Sequence, residues 1–481
     1  MTPVSSQCIH YAVVRWELLK KFREVMSRFN PYLLITICIS ATCGLLFGFD
    51  TAIIAGASPF IEKEFSASIG QIEWIVSACA LGALFGAISS GRATDILGRR
   101  KVLVITGCIF VAGTLLAAYA QSVAALIAGR FILGFAVGTG SFATPLFIAE
   151  MAPAQSRGKL VLWNGAFLTG GQVIAFLVNF SLTSSGDWRL MILSGIVPAV
   201  ILTVGMWFMP ESPKWLAQKG QEQKALKILS KIRMSKDSAK TELGLIKSTL
   251  NDKQASFREL LNPKLRGVLV IGLFMGIGQQ MMGINTVMYY GPYIMKNIGF
   301  SGAETQMFGT LGLGVTNFLF TILTLAFIDK LGRRKFLLCG SLLAALSLFA
   351  LVVLLNNTMT STSAYFALFF LMTFIIGYCI SLGSLFWLLI AEIFPLHARG
   401  TCMSFVVAIQ WATNFLVSAT FLTILANLGI AVTFTLYGTI SLIVFMFVLL
   451  KVPETKGVPL ETIEKNINTG LPTRKLGHLG N

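Results

Sequence analysis

Apolar residues in this chain run in long blocks, and the polar positions fall almost entirely between them. Twelve blocks are long enough to cross a hydrocarbon layer, which takes about 20 residues of helix. They cover roughly 31–57, 71–91, 102–121, 123–149, 160–182, 188–209, 267–295, 305–328, 336–355, 364–391, 400–424 and 428–450. A helix that is apolar all round and of this length belongs in lipid, where the backbone must satisfy its own hydrogen bonds. The pattern predicts an all-α polytopic membrane protein with twelve transmembrane helices. One long hydrophilic segment, 210–266, is rich in Lys and Glu and has helical periodicity after Gly220. It divides six spans from six. The expected organisation is a cytoplasmic N-terminal segment 1–30, a six-helix bundle 31–209, a cytoplasmic helical linker 210–266, a second six-helix bundle 267–452 and a cytoplasmic tail 453–481.

Composition agrees. The 481 residues are 55% hydrophobic and 12% charged, where a soluble domain is about a quarter charged. The net charge of +17 would suit nucleic acid, but topology explains it better. With both termini cytoplasmic, 34 of the 38 Lys and Arg residues fall inside and only Lys63, Arg189 and Lys296 fall outside. That split follows the positive-inside rule. The expected partner is therefore a bilayer and not nucleic acid. The basic N-terminal stretch "RWELLKKFREVMSRFNP" reads as a helix on the membrane surface. The eight cysteines form no CxxC pair, and His10, His397 and His478 are far apart in sequence. No metal, cofactor or disulfide framework is expected. A GxxxxGK[ST] loop is missing too, so neither an ATP-driven pump nor an enzyme is indicated. The sequons at Asn179 and Asn356 lie near short outer loops and read as chance.

The two halves repeat. "GRATDILGRRK" (91–101) answers to "FIDKLGRRK" (327–335), and "AEMAPAQSRG" (149–158) to "AEIFPLHARG" (391–400). A duplicated six-helix unit gives two bundles about a pseudo-two-fold axis, with a central site between them suited to alternating access. Glycines in "GALFGAISSG" and "GRFILGFAVGTG" recur every three to four residues, which lets helices approach closely.

Asp50 is the only charge in its apolar run, and Arg130 is the only basic residue inside any span. A charge at membrane depth is costly and seeks a partner, so the two are expected to meet. The pair is either a device that takes up and releases a proton or a static buried ion pair. Span 7, "GLFMGIGQQMMGINTVMYYGPYI", carries Gln279, Gln280, Asn285 and Tyr289. Gln279 and Tyr289 are ten apart, which would set them along one helical face. Side-chain amides offer donors and acceptors together, which suits a polyol. Gln172, Asn317, Gln410 and Asn414 add polar groups in other spans. Trp387, about halfway along span 10, and Phe47, three residues before Asp50, offer apolar faces to the same cavity.

The two GRR loops, "PESPKWL" (210–216), "QQMMGIN" (279–285) and "PETKG" (453–457) together resemble the sugar porter family of the major facilitator superfamily over about residues 35–460. The resemblance implies that Gln279, Gln280 and Asn285 bind sugar and that Tyr289 is a nearby gate or pocket residue. It also implies a cytoplasmic gate of Asp95, Arg99, Arg100, Glu150, Arg157, Glu211, Asp329, Arg333, Arg334, Glu392 and Arg399. The Glu150/Arg157 and Glu392/Arg399 spacings would bring each pair to one side of a helix, were Pro153 and Pro395 not placed to break it. A ring of these groups from both halves is expected to lock the inner mouth. Symporters of the family tend to have Asp at the position of Asp50 and facilitators Asn, so the resemblance implies a proton-coupled importer of a hexose, pentose or cyclic polyol. A passive facilitator and a non-transporting sensor are the alternatives. Two departures stand out. Gly165 occupies a place where the family usually has glutamine, and Ser384 one where proline is common, which leaves the span 10 hinge to Gly383. Compact loops suggest a bacterial inner membrane, with the protein acting as a monomer.

Overall fold

A computed structural model describes residues 30–153, 156–233, 235–249, 260, 262–357, 360–395 and 398–477. The expected surface helix of the N-terminal segment lies outside the described residues. The described chain is helical, with no strand. In the first half, α1 (Pro31–Phe65), α2 (Ile69–Leu97), α3 (Arg99–Ala118), α4 (Val123–Met151) and α5 (Arg157–Leu182) are followed by a sixth crossing in two pieces, α6 (Trp188–Leu193) and α7 (Ile196–Phe208). Short helices α8 (Pro213–Gln218), α9 (Glu222–Ile232) and α10 (Lys236–Thr249) form the hydrophilic link. Asn30, Ser68 and Ser122 cap α1, α2 and α4 by accepting from backbone N–H groups of the first turn.

The second half departs from a simple reading of its apolar runs. Span 7 is three helices, α11 (Arg266–Met281), α12 (Ile284–Tyr289) and α13 (Gly291–Asn297). Gly283 breaks the first joint at φ +86°, which a residue without Cβ adopts at little cost. Gln279 and Tyr289 are therefore not on one continuous helical face. After α14 (Ala303–Leu331) and α15 (Arg333–Leu355), span 10 divides into α16 (Ser361–Tyr378), a wide turn at Cys379–Gly383 and α17 (Ser384–Ile393). The distortion sits at Ser381 (φ −100°, ψ −111°), while Gly383 is helical at φ −57°, ψ −50°. The hinge expected at Gly383 is thus two residues earlier.

The last two crossings share α18 (Arg399–Lys451), whose 53 residues are too many for one bilayer. Gly429, at φ +77° and ψ 166°, divides them. Eleven described helical segments are long and apolar enough to span, and this division of α18 makes twelve crossings. The tail carries α19 (Leu460–Asn468).

Packing within the first bundle is set by backbone contact between α2 and α4. A Cβ at Gly82 or Gly86 would fall 2.1 or 2.2 Å from the carbonyl oxygen of Phe131 or Phe135. In return, one at Gly134 or Gly138 would fall 2.0 Å from that of Cys79 or Ala83. Small residues on both helices allow this approach, and it carries Arg130 of α4 to the Asp50 level of α1. The halves meet mainly where α2 faces α18 and α5 faces α14. Trp74 packs on Phe415 in the first contact and Phe180 on Phe308 in the second. Asn179 is buried and donates to the Ala52 carbonyl, so its sequon is structural.

Candidate functional site

Asp50 and Arg130 meet. Arg130 Nη1 donates to Asp50 Oδ1 at 2.5 Å and to the Asp50 carbonyl at 3.3 Å, and its Nε reaches the Ile75 carbonyl at 3.4 Å. The second carboxylate oxygen takes the thiol of Cys79 at 3.0 Å. Both charged side chains are buried. Burial makes each charge costly alone, and the contact between them, with its hydrogen bonds, offsets part of that cost.

A second hydrogen-bonded set gathers polar residues of several helices, mostly of the second half. Gln279 Nε2 donates to the Leu382 carbonyl at 2.9 Å, a group supplied by the wide turn of span 10. Gln279 Oε1 accepts from Gln410 Nε2 and, at 3.4 Å, from Gln280 Nε2. Asn285 Nδ2 donates to Gln280 Oε1 at 2.6 Å, and Asn414 Nδ2 reaches the Tyr289 hydroxyl at 3.4 Å. Across the halves, Asn317 Nδ2 donates to Gln172 Oε1 at 2.7 Å, while its own Oδ1 accepts the Cys379 thiol at 2.9 Å. Phe47 of α1 packs on Trp411 of α18 with ring centroids 5.5 Å apart. Several buried polar atoms have no protein partner, including Gln410 Oε1, Trp411 Nε1, Asn164 Oδ1 and Ser384 Oγ. Buried polar groups are ordinarily paired, and an unmet amide acceptor and an unmet indole donor at consecutive positions of α18 are groups that a hydroxyl-rich ligand can satisfy.

The face carrying the GRR loops is built twice over. Arg99 Nη2 donates to Glu150 Oε1 at 3.1 Å and Nη1 to the Thr94 carbonyl at 3.1 Å. Arg99 Nε lies 3.0 Å from Glu150 Oε2 but off line for a hydrogen bond, so that contact is ionic. Asp95, exposed, is 3.4 Å from Arg99. Ser212 donates its hydroxyl to Glu150, and Glu211 Oε1 accepts the Arg100 N–H at 3.0 Å, at the start of α3. Arg100 also donates to the Met206 and Trp207 carbonyls at the end of α7. In the second half Arg333 pairs with Glu392 at 3.0 Å and Thr455 donates to Glu392. Glu454 accepts the N–H groups of Arg333 and Arg334 at the start of α15, and Arg334 reaches the Leu449 carbonyl at 2.9 Å. Acidic groups at helix N-termini and basic groups at C-terminal carbonyls are both favourable.

A family profile described as "Sugar (and other) transporter" matches residues 36–467. The chain belongs to the sugar porter family of the major facilitator superfamily. It is 38% identical to the galactose-proton symporter of Escherichia coli strain K12 over 456 residues, 94% of this chain and 98% of the relative. It is 37% identical to the arabinose-proton symporter of the same strain over 443 residues, covering 91% and 94%. The major myo-inositol transporter of Bacillus subtilis is 36% identical over 448 residues, covering 90% and 94%. Among solved structures, the inward open conformation of the xylose transporter XylE from E. coli superposes with a TM-score of 0.78 at 29% identity, covering 90% of this chain and 99% of that one.

For this sugar porter, the structure brings together most of the residues singled out from sequence and rearranges some. Glu150 is paired with Arg99, not with Arg157, which is exposed at the start of α5 beyond the break at Pro153. Arg399 reaches the Phe394 carbonyl at 3.4 Å. The side chain of Asp329 lies outside the described residues. The ion pairs described at the GRR face, Arg99 with Glu150 and Arg333 with Glu392, each lie within one half, so the expected lock across the halves is not the arrangement seen. Trp387 is exposed and packs edge-on against Phe386. Three sets of residues were not anticipated. Cys79 is one. Trp411, adjacent to Gln410, is another. The third comprises Ser212, Glu454 and Thr455, whose signal was the match between "PES" and "PET" in the two halves.

Proposed function

We propose that the chain imports a monosaccharide or cyclic polyol together with protons, by alternating access. The GRR loops, the linker and both chain ends lie on the cytoplasmic side of a bacterial inner membrane, and the protein acts as a monomer. The supporting observation is the buried Asp50–Arg130 pair together with a hydrogen-bonded set of amides in which Gln410 Oε1 and the neighbouring Trp411 Nε1 have no partner. Gln172, Gln279, Gln280, Asn285, Asn317, Gln410 and Asn414 hold the hydroxyls of the sugar, with Tyr289 at the edge. Trp411 Nε1 donates to a further oxygen. Phe47 and Trp387 lie against the apolar ring face.

A proton arriving at the Asp50 carboxyl removes the charge that Arg130 Nη1 is bonded to. The attraction falls, and Arg130 is left needing other acceptors in a low-dielectric site. Sugar binding to the amides draws the two halves together. Loss of the proton toward the cytoplasm restores the pair and resets the first half. Two binding events thus bias one rocking motion.

Uptake of labelled galactose, arabinose, xylose and myo-inositol into proteoliposomes, with and without an inward proton gradient, tests this reading. The wild type is expected to accumulate at least one of these against its gradient. Asp50→Asn is expected to exchange the sugar but not accumulate it. Equilibration that ignores the proton gradient in the wild type would identify a facilitator with a structural ion pair.

A further inference from the structure

We propose that Glu73, with Glu62 beside it, forms a latch that closes the mouth opposite the GRR loops and sets how often that mouth opens. Glu73 lies near the start of α2, is 4% exposed, and has no basic partner among the described residues. Its acceptors are satisfied from the other half of the molecule. Oε1 takes the Thr423 backbone N–H at 2.7 Å, and Oε2 takes the Thr423 hydroxyl at 2.7 Å. Glu62, at the far end of α1, accepts the Tyr293 hydroxyl of α13 at 2.6 Å.

The placement separates these two carboxylates from the others. Glu150 and Glu392 pair with arginines of their own halves and otherwise bond the linker and the tail, so none of their contacts runs from one half to the other. The contacts of Glu62 and Glu73 run from one half to the other and must break each time this mouth opens. A buried carboxylate without a cation is tolerated only while hydrogen-bonded, so Glu73 favours the closed arrangement strongly until water reaches it. Water is close. A cleft of about 1070 Å³ opens at this face, lined by Glu62, Lys63, Tyr293, Lys296, Ile72 and Leu422 among others. Ile72 and Leu422 are the sequence neighbours of Glu73 and Thr423, which places the latch at the cleft floor. Trp74 on Phe415, the next contact inward, is apolar. The polar latch therefore lies on the cleft side of this aromatic contact in the α2–α18 seal.

The inference requires alternating access but not the identity of the sugar or the role of Asp50. The test places a reporter cysteine at Leu422→Cys in the full-length chain. Its labelling by a membrane-impermeant maleimide is followed from the side opposite the GRR loops. The same protein without the reporter supplies the background from its native thiols. Glu73→Ala is expected to raise the reporter rate several-fold, with smaller increases for Glu73→Gln and Thr423→Val. The valine variant deletes one hydroxyl and carries the test if Glu73→Ala does not fold. Reporter rates equal to or below the parent in folded Thr423→Val and Glu73→Gln would overturn the latch. That result would leave the proton-symport reading standing, because labelling scores neither sugar nor proton movement.

Discussion

The two GRR-face clusters have nearly the same residues but different surroundings, and the difference predicts unequal responses to the same mutation. The side chains of Arg99 and Glu150 are 4% and 5% exposed, whereas those of Arg333 and Glu392 are 11% and 19% exposed. Glu150→Ala leaves the buried Arg99 guanidinium with only the Thr94 carbonyl and the exposed Asp95, 3.4 Å away, as its remaining acceptors. Removing one member of a buried pair costs about 3–5 kcal/mol. At Glu392→Ala water can reach Arg333, so the loss should lie between the surface and buried limits, about 1–2 kcal/mol. The expected gap is about 2 kcal/mol, which at 1.4 kcal/mol per decade is about 30-fold in the unfolding equilibrium. Unfolding of the detergent-purified protein, followed by the reactivity of a buried native thiol, measures it. Pairing Glu150→Ala with Arg99→Met should recover much of the loss, because the stranded charge is then gone. Equal losses at the two sites, or a double variant as unstable as Glu150→Ala alone, would refute the assignment of this cost to a desolvated arginine.

Four further outcomes follow from the same structure. Gly48→Ala should abolish folded protein on size-exclusion chromatography, since its Cβ would fall 1.8 Å from the Leu168 carbonyl oxygen. Gly165→Gln should fold normally, as a Cβ there meets nothing within 4 Å, and should change the rank order of competing sugars in an uptake assay. Trp411→Phe keeps the ring packed on Phe47 but deletes the free indole N–H. Sugar affinity by calorimetry should drop about tenfold, the worth of one hydrogen bond, with unfolding little changed. Burial raises the Glu211 carboxyl above its ordinary range, against the opposing pull of the Arg100 and Ser212 N–H groups. Its contribution to stability is full below the ordinary glutamate value of about 4.3 and is lost as pH climbs through the raised one. Stability measured from pH 4 to 8 should therefore fall more for wild type than for Glu211→Gln.

The helical fold, the duplication and the meeting of Asp50 with Arg130 were legible in the chain because each rests on a one-dimensional constraint. Apolar length follows from bilayer thickness. A repeated motif survives as text. A lone acid and a lone base at membrane depth have few other partners. What could not be read depended on how helices end and turn. Glycine in an apolar run reads alike whether it lets helices touch, as Gly134 does against Cys79, or takes a positive φ and breaks the helix, as Gly283 and Gly429 do. Only packing distinguishes these uses, since backbone conformation is chosen by what the following segment must reach. The partner of Glu150 was likewise open. Sequence spacing offered Arg157, but the break at Pro153 left the carboxylate to Arg99 and to the Ser212 hydroxyl of the linker. Hydrogen bonds are decided within about 3 Å, and the residues that meet at this distance are brought there by tertiary packing. Glu73 shows the limit most clearly, for its acceptors are met 350 residues away in the other half of the molecule.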